Sequence, residues 1–302
     1  MSKLIRYSEM FASMQGEAFQ VGEPSLWLRF FGCNLQCAGF GNSGVDSHLD
    51  SYIKIAKATS NDIGVEQLTA EQFPLGCDSA YSWAGPFKKL QKNETPEEVV
   101  DNLLGLLPSY VPSSKFNMAF AGKFNMAFTG GEPFLPVNQE AILSILQEFQ
   151  KRNIVFKKFC FETNGTQVLS KEFVFEFKRL VGGVPVEINV SPKLESVSGE
   201  KSEKAIIPGA FDNLISEFPT NLSIGYKFVV DWTISSIRDL KAAIDKLGIE
   251  QNGNFKIALM PVGADLEQQN RIEHSIADYA LSRGFMFSPR LQVEVYNNAI
   301  GA

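Results

Sequence analysis

Short apolar runs alternate with amphipathic helical patterns through the middle and C-terminal parts of this chain. This alternation is typical of βα units around a mostly parallel sheet, so it predicts an α/β fold. Seven segments are strand candidates: SLWLRFFG (25–32), FNMAFTG (124–130), KKFCFE (157–162), VEINVS (186–191), GYKFVVD (225–231), KIALMPV (256–262) and LQVEVY (291–296).

Helices are predicted between these strands. The clearest begins at Thr95, which can cap backbone amides, while Pro96 suits the first helical position and Glu98 completes a capping box. Further helical patterns are NQEAILSILQEFQKRN (138–153), SSIRDLKAAIDKLG (235–248) and EQQNRIEHSIADYALSRG (267–284).

Two segments interrupt this rhythm. Residues 38–76 mix turn-forming residues with one short helical pattern, SYIKIAKA (51–58), and are interpreted as an insertion. The octet KFNMAFAG (115–122) is followed directly by a near copy, KFNMAFTG (123–130). Because side chains in a strand alternate with a period of two, a shift of eight residues leaves the same side chains facing inward. Either copy could therefore form the strand, and the octet 115–122 is interpreted as a duplicated lead-in.

Composition narrows the classes of function. With 302 residues and a hydrophobic fraction of 44%, the chain can bury a sizeable core. Its net charge is −6, and its Lys and Arg residues are scattered, so a small polar substrate is expected rather than direct contact with nucleic acid. Polar residues break every apolar run of the N-terminal MSKLIRYSEMFASMQGEAF, so neither a signal peptide nor a membrane span is predicted. A cytoplasmic protein is expected.

The four cysteines are candidate functional residues. Without secretory features they are expected to be reduced thiols or metal ligands, and only two histidines are available for a mixed zinc site. Cys33 and Cys37 are four residues apart, but Phe40 stands where a third metal-binding cysteine would be expected. Taken alone, Cys77 is most simply interpreted as a small buried residue or a surface thiol, and Cys160 as a core residue.

The neighbours of Cys77 favour another interpretation. The run CDSAYSW (77–83) resembles the segment at the third cysteine of the radical S-adenosylmethionine enzymes that make 7-carboxy-7-deazaguanine, whose cluster motif is C-x3-C-x2-C-D-T. By this resemblance Cys33, Cys37 and Cys77 bind a [4Fe–4S] cluster, and 39 residues separate the last two. The longer loop costs roughly 2.6 kcal/mol of closure entropy, against on the order of 10 kcal/mol released by metal ligation. Three thiolates leave one iron free to chelate S-adenosylmethionine.

A second group of motifs points to the same cofactor. Paired glycines in FTGGEPFLP (128–136) permit a sharp turn and a close backbone approach, and in this family a G-G-E-P run cradles the ammonium group of S-adenosylmethionine. CFETNGT (160–166) and NVSPKL (189–194) resemble family segments at the C-terminal ends of later strands, which face the active site in barrel-like sheets. The cofactor-binding residues implied by the resemblance are Gly130, Gly131, Glu132, Glu162, Thr163, Asn164, Ser191 and Lys193.

Motifs near both ends of the chain resemble those that bind the substrate, a pterin, in this family. SMQGEAFQVGEPSLWLRFFGCN (13–34) and SPRLQVEVYNNAIGA (288–302) are similar to the family's opening and closing signatures, except that Ala18 and Asn297 replace usual glycines. An amide and a carboxylate suit the donor edge of an aminopterin, and a guanidinium suits a carboxylate. Ser79 takes the place of a threonine that helps to ligate Mg²⁺ in the family, and its hydroxyl keeps the oxygen donor. The substrate-binding residues implied are Gln15, Glu17, Arg29, Arg290 and Gln292.

The resemblance covers nearly the whole chain and implies a single domain, residues 1–302, with a partial (β/α)6 radical S-adenosylmethionine barrel whose cluster loop contains the insertion 38–76. It also implies the reaction of a carbon–nitrogen lyase. The reduced cluster gives an electron to the sulfonium, and the resulting 5′-deoxyadenosyl radical abstracts hydrogen from C6 of 6-carboxy-5,6,7,8-tetrahydropterin. A ring contraction assisted by Mg²⁺ then expels ammonia and gives 7-carboxy-7-deazaguanine, for queuosine or for a modified DNA base. An electron donor such as flavodoxin and a homodimer are expected from the family.

Two alternatives stay open. Another radical S-adenosylmethionine enzyme, such as a glycyl-radical activase, would keep GGEP but has no reason to carry MQGE or SPRLQ. A binding or regulatory protein derived from the same fold would contain no cluster, and iron and sulfide analysis would distinguish it from the enzyme.

Overall fold

The fold is known from a computed structural model. It describes residues 4–40, 49–60, 64–69, 72–73, 75–107, 121–218, 220–250, 253, 255–263, 265–297 and 299–301.

The described residues form one mixed sheet. Its strands are β1 (Ile5–Met14), β2 (Pro24–Phe30), β3 (Lys92–Glu94), β4 (Asn125–Gly130), β5 (Lys158–Thr163), β6 (Val186–Val190), β7 (Leu222–Val230), β8 (Lys256–Pro261) and β9 (Met286–Phe287). Their order in space is β3-β1-β2-β4-β5-β6-β7-β8-β9. From β2 to β9 all neighbouring pairs are parallel, whereas β1 is antiparallel to both β2 and β3.

Helices connect the parallel strands. They are α1 (Leu49–Ala58), α2 (Pro96–Gly105), α3 (Pro136–Lys151), α4 (Lys171–Val181), α5 (Glu195–Ser198), α6 (Ser202–Ala205), α7 (Asp212–Glu217), α8 (Ile234–Leu247), α9 (Leu266–Asn270), α10 (Glu273–Arg283) and α11 (Leu291–Tyr296). The capping box predicted for α2 is confirmed, because the Glu98 amide donates to Thr95 Oγ1 at 3.3 Å and the Thr95 amide donates to Glu98 Oε2 at 2.8 Å. The pattern predicted as one helix over 267–284 is two helices, α9 and α10. Within the described part of the chain, no helix combines the length and the apolar character that crossing a membrane requires.

Six of the seven predicted strands are confirmed, and the seventh is wrong. LQVEVY (291–296) is helix α11, in which only Val293 is buried. The edge of the sheet beside β8 is formed by Met286–Phe287 instead. The segment instead turns back toward the β1–β2 loop, where the Leu291 amide donates to the Gly16 carbonyl at 2.8 Å.

The two interrupting segments have different outcomes. The second copy of the octet forms β4, whereas residues 115–120 of the first copy lie outside the described residues. Within the 38–76 segment, the predicted short helix is confirmed as α1.

The sheet separates two environments. On β2, Leu26, Leu28 and Phe30 belong to the main hydrophobic core, which the helices cover. Trp27 and Arg29 alternate with them and line the cavity inside the curved sheet. The described edge strands β3 and β9 do not pair with each other, so the barrel is open, as the prediction of a partial barrel requires. The C-terminal ends of the parallel strands share one rim, and the predicted site segments follow directly after those strands.

Candidate active site

A cavity of about 520 Å³ opens at this rim. Its lining comes from the C-terminal ends of the parallel strands, the cysteine segments and the C-terminal residues 299–301. The structure therefore brings together residues that are up to 290 positions apart in the chain, Phe11 and Gly301. Every predicted site residue except Glu132 lines this cavity: Gln15, Glu17, Arg29, Cys33, Cys37, Cys77, Ser79, Gly130, Gly131, Glu162, Thr163, Asn164, Ser191, Lys193, Arg290 and Gln292.

The first two cysteines lie on a tight loop that follows β2. Cys37 has φ 51°, in the left-handed region that non-glycine residues seldom adopt. The loop is fixed by Glu200, whose Oε1 accepts hydrogen bonds from the amides of Gln36 at 2.5 Å and Cys37 at 2.8 Å. Cys33 Sγ accepts from the Leu35 amide at 3.4 Å. Sequence reasoning missed Glu200, because an acidic residue in a polar stretch carries no signal of its distant partner.

Cys77 reaches the same cavity from the other side of the 38–76 segment. The Gly76 amide donates to the Phe40 carbonyl at 2.7 Å, so the two ends of the segment are joined at its base. Ser79 Oγ lies 3.5 Å from Cys77 Sγ. The residue at the position of the expected third cysteine, Phe40, thus lies directly beside the glycine that precedes Cys77.

The three thiols share a desolvated environment. Burial raises the pKa of Cys33 to about 12, and it also raises the pKa values of Cys37 and Cys77. A negative charge on Cys77 would raise the pKa of each of the other two, since the three groups are close enough to interact. Bound metal reverses this preference, because a coordinating thiol is deprotonated.

The donor set fits a cluster better than a single ion. Among the described residues, no three His, Cys, Asp or Glu side chains surround one metal-ion position. A [4Fe–4S] cluster does not require that arrangement, because each cysteine binds a different iron atom. Three cysteines without disulfides, all lining one cavity, match this requirement.

The glycine pair after β4 lies against the cysteine loop. Gly130 has φ 151°, and a Cβ on Gly131 would lie 2.2 Å from the carbonyl oxygen of Gly32. Any side chain at Gly131 would therefore push this loop away from the one that carries Cys33. The two glycines provide a close backbone approach between two motifs that are about 100 residues apart in the sequence.

Glu132 is fully buried beneath the cavity. Its carboxylate accepts hydrogen bonds from Thr163 Oγ1 at 2.7 Å and from the amides of Asn164 at 2.8 Å and Phe134 at 2.9 Å. Burial raises its pKa to about 7, although these donors partly offset the effect. Glu132 thus connects the β4 loop to the β5 loop, where Thr163 and Asn164 line the cavity.

A buried charged network also lines the cavity. Glu17 accepts hydrogen bonds from Lys227 Nζ, from Arg290 Nε at 2.9 Å and from Gln292 Nε2 at 2.5 Å. Burial alone would raise the pKa of Glu17, but the charges of Lys227 and Arg290 outweigh it and lower the pKa well below its usual range. Glu17 is therefore a carboxylate.

Glu162 belongs to the same network. It accepts hydrogen bonds from Gln15 Nε2 at 2.8 Å and Asn189 Nδ2 at 2.7 Å, and it lies 3.9 Å from Lys227 Nζ. Burial raises the pKa of Glu162 more than Lys227 lowers it. For Lys227, burial would lower the pKa, but Glu17 and Glu162 raise it overall, so the amine is charged. Lys227 was missed by sequence reasoning, although a lysine inside the apolar run GYKFVVD was a usable signal.

Arg29 is held in place by contacts that do not involve the Glu17 network. Its Nε donates to Glu9 Oε1 at 2.6 Å, and its guanidinium lies 6.0 Å and 5.8 Å from the ring centroids of Phe11 and Tyr81. The Tyr81 hydroxyl also donates to Glu9 Oε1, at 2.8 Å. The two terminal amino groups of Arg29 make no hydrogen bond to the described residues. The guanidinium is thus fixed through Nε and through its faces, and sequence reasoning missed both Glu9 and Tyr81.

Arg290 connects three parts of the chain. Besides Glu17, it donates to Asp78 Oδ2 at 3.0 Å and to the Gly263 carbonyl at 2.6 Å. After β6, Lys193 Nζ donates to Ser191 Oγ at 3.0 Å. The C-terminal segment, the β8 loop and the segment of the third cysteine therefore meet at one guanidinium.

Comparisons with known proteins bear on this site. No protein-family model matches the chain. The chain is 24% identical to a 7-carboxy-7-deazaguanine synthase of Halobacterium salinarum, over 97% of this chain and 90% of that protein. A shorter match to a 7-carboxy-7-deazaguanine synthase of Bacteroides thetaiotaomicron is 46% identical over 33 residues, which are 11% of this chain and 18% of that protein.

The fold also has a solved counterpart. It resembles the crystal structure of QueE from Escherichia coli with a TM-score of 0.51 and 17% identity, over 94% of this chain and 93% of that chain. The α/β fold with an open barrel is thereby confirmed. Over nearly its whole length the chain is similar to a 7-carboxy-7-deazaguanine synthase, which is the family that its motifs indicate.

Proposed function

We propose that this protein is a radical S-adenosylmethionine enzyme that converts 6-carboxy-5,6,7,8-tetrahydropterin to 7-carboxy-7-deazaguanine. One observation supports the proposal most directly. Three thiols and a set of acid, amide and guanidinium groups suited to a carboxypterin line the same cavity of about 520 Å³. That volume lies within the range of cavities that enclose small-molecule ligands.

Cys33, Cys37 and Cys77 would hold a [4Fe–4S] cluster in this cavity. When bound, the cluster and S-adenosylmethionine would supply the radical that abstracts a hydrogen atom from the substrate. Gly130 and Gly131 let the β4 turn pack directly against the backbone of the cysteine loop, beside which the cofactor would bind.

The pterin would bind on the side of Glu17. An ionised carboxylate there can accept hydrogen bonds from the N–H groups at the amino edge of a pterin, while the Gln15 amide can both donate and accept. The contacts that Arg290 and Gln292 make to Glu17 in this structure compete with such a ligand, so both side chains would shift or share the carboxylate when substrate binds.

Arg29 would bind the substrate carboxylate. Its two terminal amino groups can form a bidentate pair with a carboxylate, and the contact of Nε with Glu9 leaves this fork free to do so. Orientation by fixed groups of this kind is the main contribution that the protein itself makes to a radical reaction.

Finer parts of the proposal concern partners and ions. Ser79 would contribute an oxygen to Mg²⁺, which prefers oxygen donors and retains several waters. A flavodoxin-like electron donor, a homodimer and a cytoplasmic location are expected for such an enzyme. Reduction of the reconstituted protein by purified flavodoxin tests the electron donor. Light scattering measures the mass in solution and tests the homodimer.

Product formation tests the reaction. The protein is reconstituted anaerobically with iron and sulfide, then incubated with S-adenosylmethionine, a reductant, Mg²⁺ and 6-carboxy-5,6,7,8-tetrahydropterin. Liquid chromatography with mass spectrometry should detect 7-carboxy-7-deazaguanine. A reconstituted protein that cleaves S-adenosylmethionine without forming the deazapurine would favour another radical reaction, whereas a protein that binds no iron would favour a regulatory or binding role.

Two cysteine variants test the ligand assignment. Cys77→Ala should lose most of the iron and sulfide, because one of three ligands is removed. Cys160→Ala is the matched control: Cys160 is buried inside the sheet beside Trp27 and Ala127, and its loss should leave the cluster content unchanged. Normal cluster content in Cys77→Ala would refute the assignment.

A further inference from the structure

The 38–76 segment contributes to a hydrophobic cluster that is separate from the main core. This insert cluster combines residues of the segment with residues that follow Cys77. Its ten buried members are Tyr52, Ala56, Val65, Leu68, Phe73, Ala80, Tyr81, Ala84, Phe87 and Leu90.

Phe73 is at the centre of this cluster and is 2% exposed. Its ring centroid lies 6.1 Å from that of Tyr52, 5.8 Å from that of Tyr81 and 5.8 Å from that of Phe87. Tyr52 comes from helix α1, whereas Tyr81 and Phe87 follow the third cysteine. The aromatic contacts therefore connect the segment before Cys77 to the segment after it.

The residues after Cys77 form a turn with several backbone hydrogen bonds. The Ala80 amide donates to the Cys77 carbonyl at 3.1 Å, and the Ser82 amide donates to the Ser79 carbonyl at 2.9 Å. The Ser82 carbonyl then accepts from the Gly32 amide at 2.8 Å, next to Cys33. Cys77 itself packs against the insert cluster. A displacement of the cluster would thus move Cys77 relative to Cys33.

We propose that the insert cluster is the device that positions Cys77 as a metal ligand opposite Cys33 and Cys37. A flexible connection of 39 residues would leave the third thiol free to sample many positions. The packed aromatic side chains remove this freedom, and the hydrogen bond between Gly76 and Phe40 closes the base of the segment. The inference rests on the proposed function, because it assigns the three thiols to one cluster.

The test compares two phenylalanines with similar surroundings. Phe73→Ala removes the centre of the insert cluster. Phe177→Ala is the matched control, because Phe177 is 1% exposed in the main core and also contacts three rings, those of Phe161, Phe173 and Phe218, at 5.5 Å to 5.7 Å. After anaerobic reconstitution, Phe73→Ala should contain less than one third of the iron and sulfide of the unmodified protein, and Phe177→Ala should retain most of it.

A second measurement uses the protein without metal. Alkylation by iodoacetamide is followed at each cysteine by mass spectrometry of peptides. In Phe73→Ala, Cys77 should react at least fivefold faster than in the unmodified protein, while the rate at Cys160 changes little. A general loss of stability would accelerate both cysteines together, so the ratio distinguishes positioning from unfolding.

Several outcomes would overturn the inference. Normal cluster content with an unchanged Cys77 rate in Phe73→Ala would do so, and so would an equal loss of cluster in Phe177→Ala. Should Phe73→Ala fail to fold, Phe73→Leu takes its place with the same expected direction. If the unmodified protein binds no cluster, the proposed function fails, whereas the alkylation rates still decide whether Phe73 positions Cys77.

Discussion

Replacing Lys227 by methionine should destabilise the protein, because the lysine charge stabilises two carboxylates, Glu17 and Glu162. Methionine keeps an unbranched apolar stem of similar length, so packing is largely preserved and the charge alone is lost. Lys227 is 5% exposed, and it bonds to Glu17 and lies 3.9 Å from Glu162. Removing one partner of a buried ion pair commonly costs 3 to 5 kcal/mol, because an uncompensated charge stays in the interior.

The lower end of that range is expected here. Glu17 retains hydrogen bonds from Arg290 and Gln292, and Glu162 retains those from Gln15 and Asn189. We therefore expect Lys227→Met to lower the free energy of unfolding by about 3 kcal/mol at pH 8.

The loss should depend on pH in a definite direction. The raised pKa of Lys227 means that its contribution is present throughout neutral pH and disappears only above the pKa of a free lysine. Glu162 has a raised pKa because its charged form is penalised by burial, and removal of Lys227 raises that pKa further. Its carboxylate can then take up a proton as the pH falls, which relieves the penalty. The deficit of the variant should therefore be smaller at pH 6 than at pH 8.

Urea denaturation of the metal-free protein under reducing conditions, followed by circular dichroism at pH 8 and pH 6, measures both effects. Lys158→Met is the control. Lys158 also contacts two carboxylates on the same sheet, Glu187 at 3.0 Å and Glu23 at 3.1 Å, but its side chain is 18% exposed. Its replacement should cost only about 1 kcal/mol. Equal losses for the two lysines, or a Lys227→Met deficit that grows toward pH 6, would refute this reasoning.

Three further substitutions test single contacts. Gly131→Ala should strongly reduce both the cluster content and the free energy of unfolding, because the new Cβ would lie 2.2 Å from the neighbouring backbone. Gly183→Ala is its control and should change neither quantity, because the space around Gly183 is open. Iron analysis and urea denaturation measure the two quantities. Tyr81→Phe keeps the ring but loses the hydrogen bond to Glu9, so the KM for the carboxypterin should rise about tenfold. Steady-state kinetics should show kcat nearly unchanged, and the cluster content should also stay nearly unchanged. A lowered kcat at constant KM would contradict this expectation. Thr95→Ala should lower the free energy of unfolding by about 1 kcal/mol by urea denaturation, through loss of its helix cap, without affecting iron content.

Local patterns were sufficient for most of the secondary structure. The strands β2 and β4 to β8 are apolar runs flanked by turn residues, and the capping box at Thr95 marks the start of α2 without reference to the rest of the chain. The motifs also end where the strands end, which is why their residues lie at one rim. Each of these features depends on neighbours in sequence, and such features can be predicted from sequence.

Short or mixed patterns could not be interpreted in this way. LQVEVY alternates like a strand, yet it forms helix α11, which the hydrogen bond of the Leu291 amide to the Gly16 carbonyl holds against the β1–β2 loop. Strand β1 was missed because its pairing with β2 shifts register between Tyr7 and Glu9, so its polar and apolar residues do not alternate regularly. Contacts with distant residues decide the structure of such segments, and the sequence of the segment alone does not predict them.

The sequence alone determined which residues have the chemistry: three cysteines, a glycine pair, and the polar residues at both ends of the chain. Only the tertiary structure decided what surrounds them, including the contacts of Lys227 with Glu17 and of Tyr81 with Glu9, which are 210 and 72 residues apart in sequence. The physical reason is that ion pairs and hydrogen bonds act over a few ångströms in space. The order of the strands in the sheet, rather than the order of residues in the chain, determines which groups come that close.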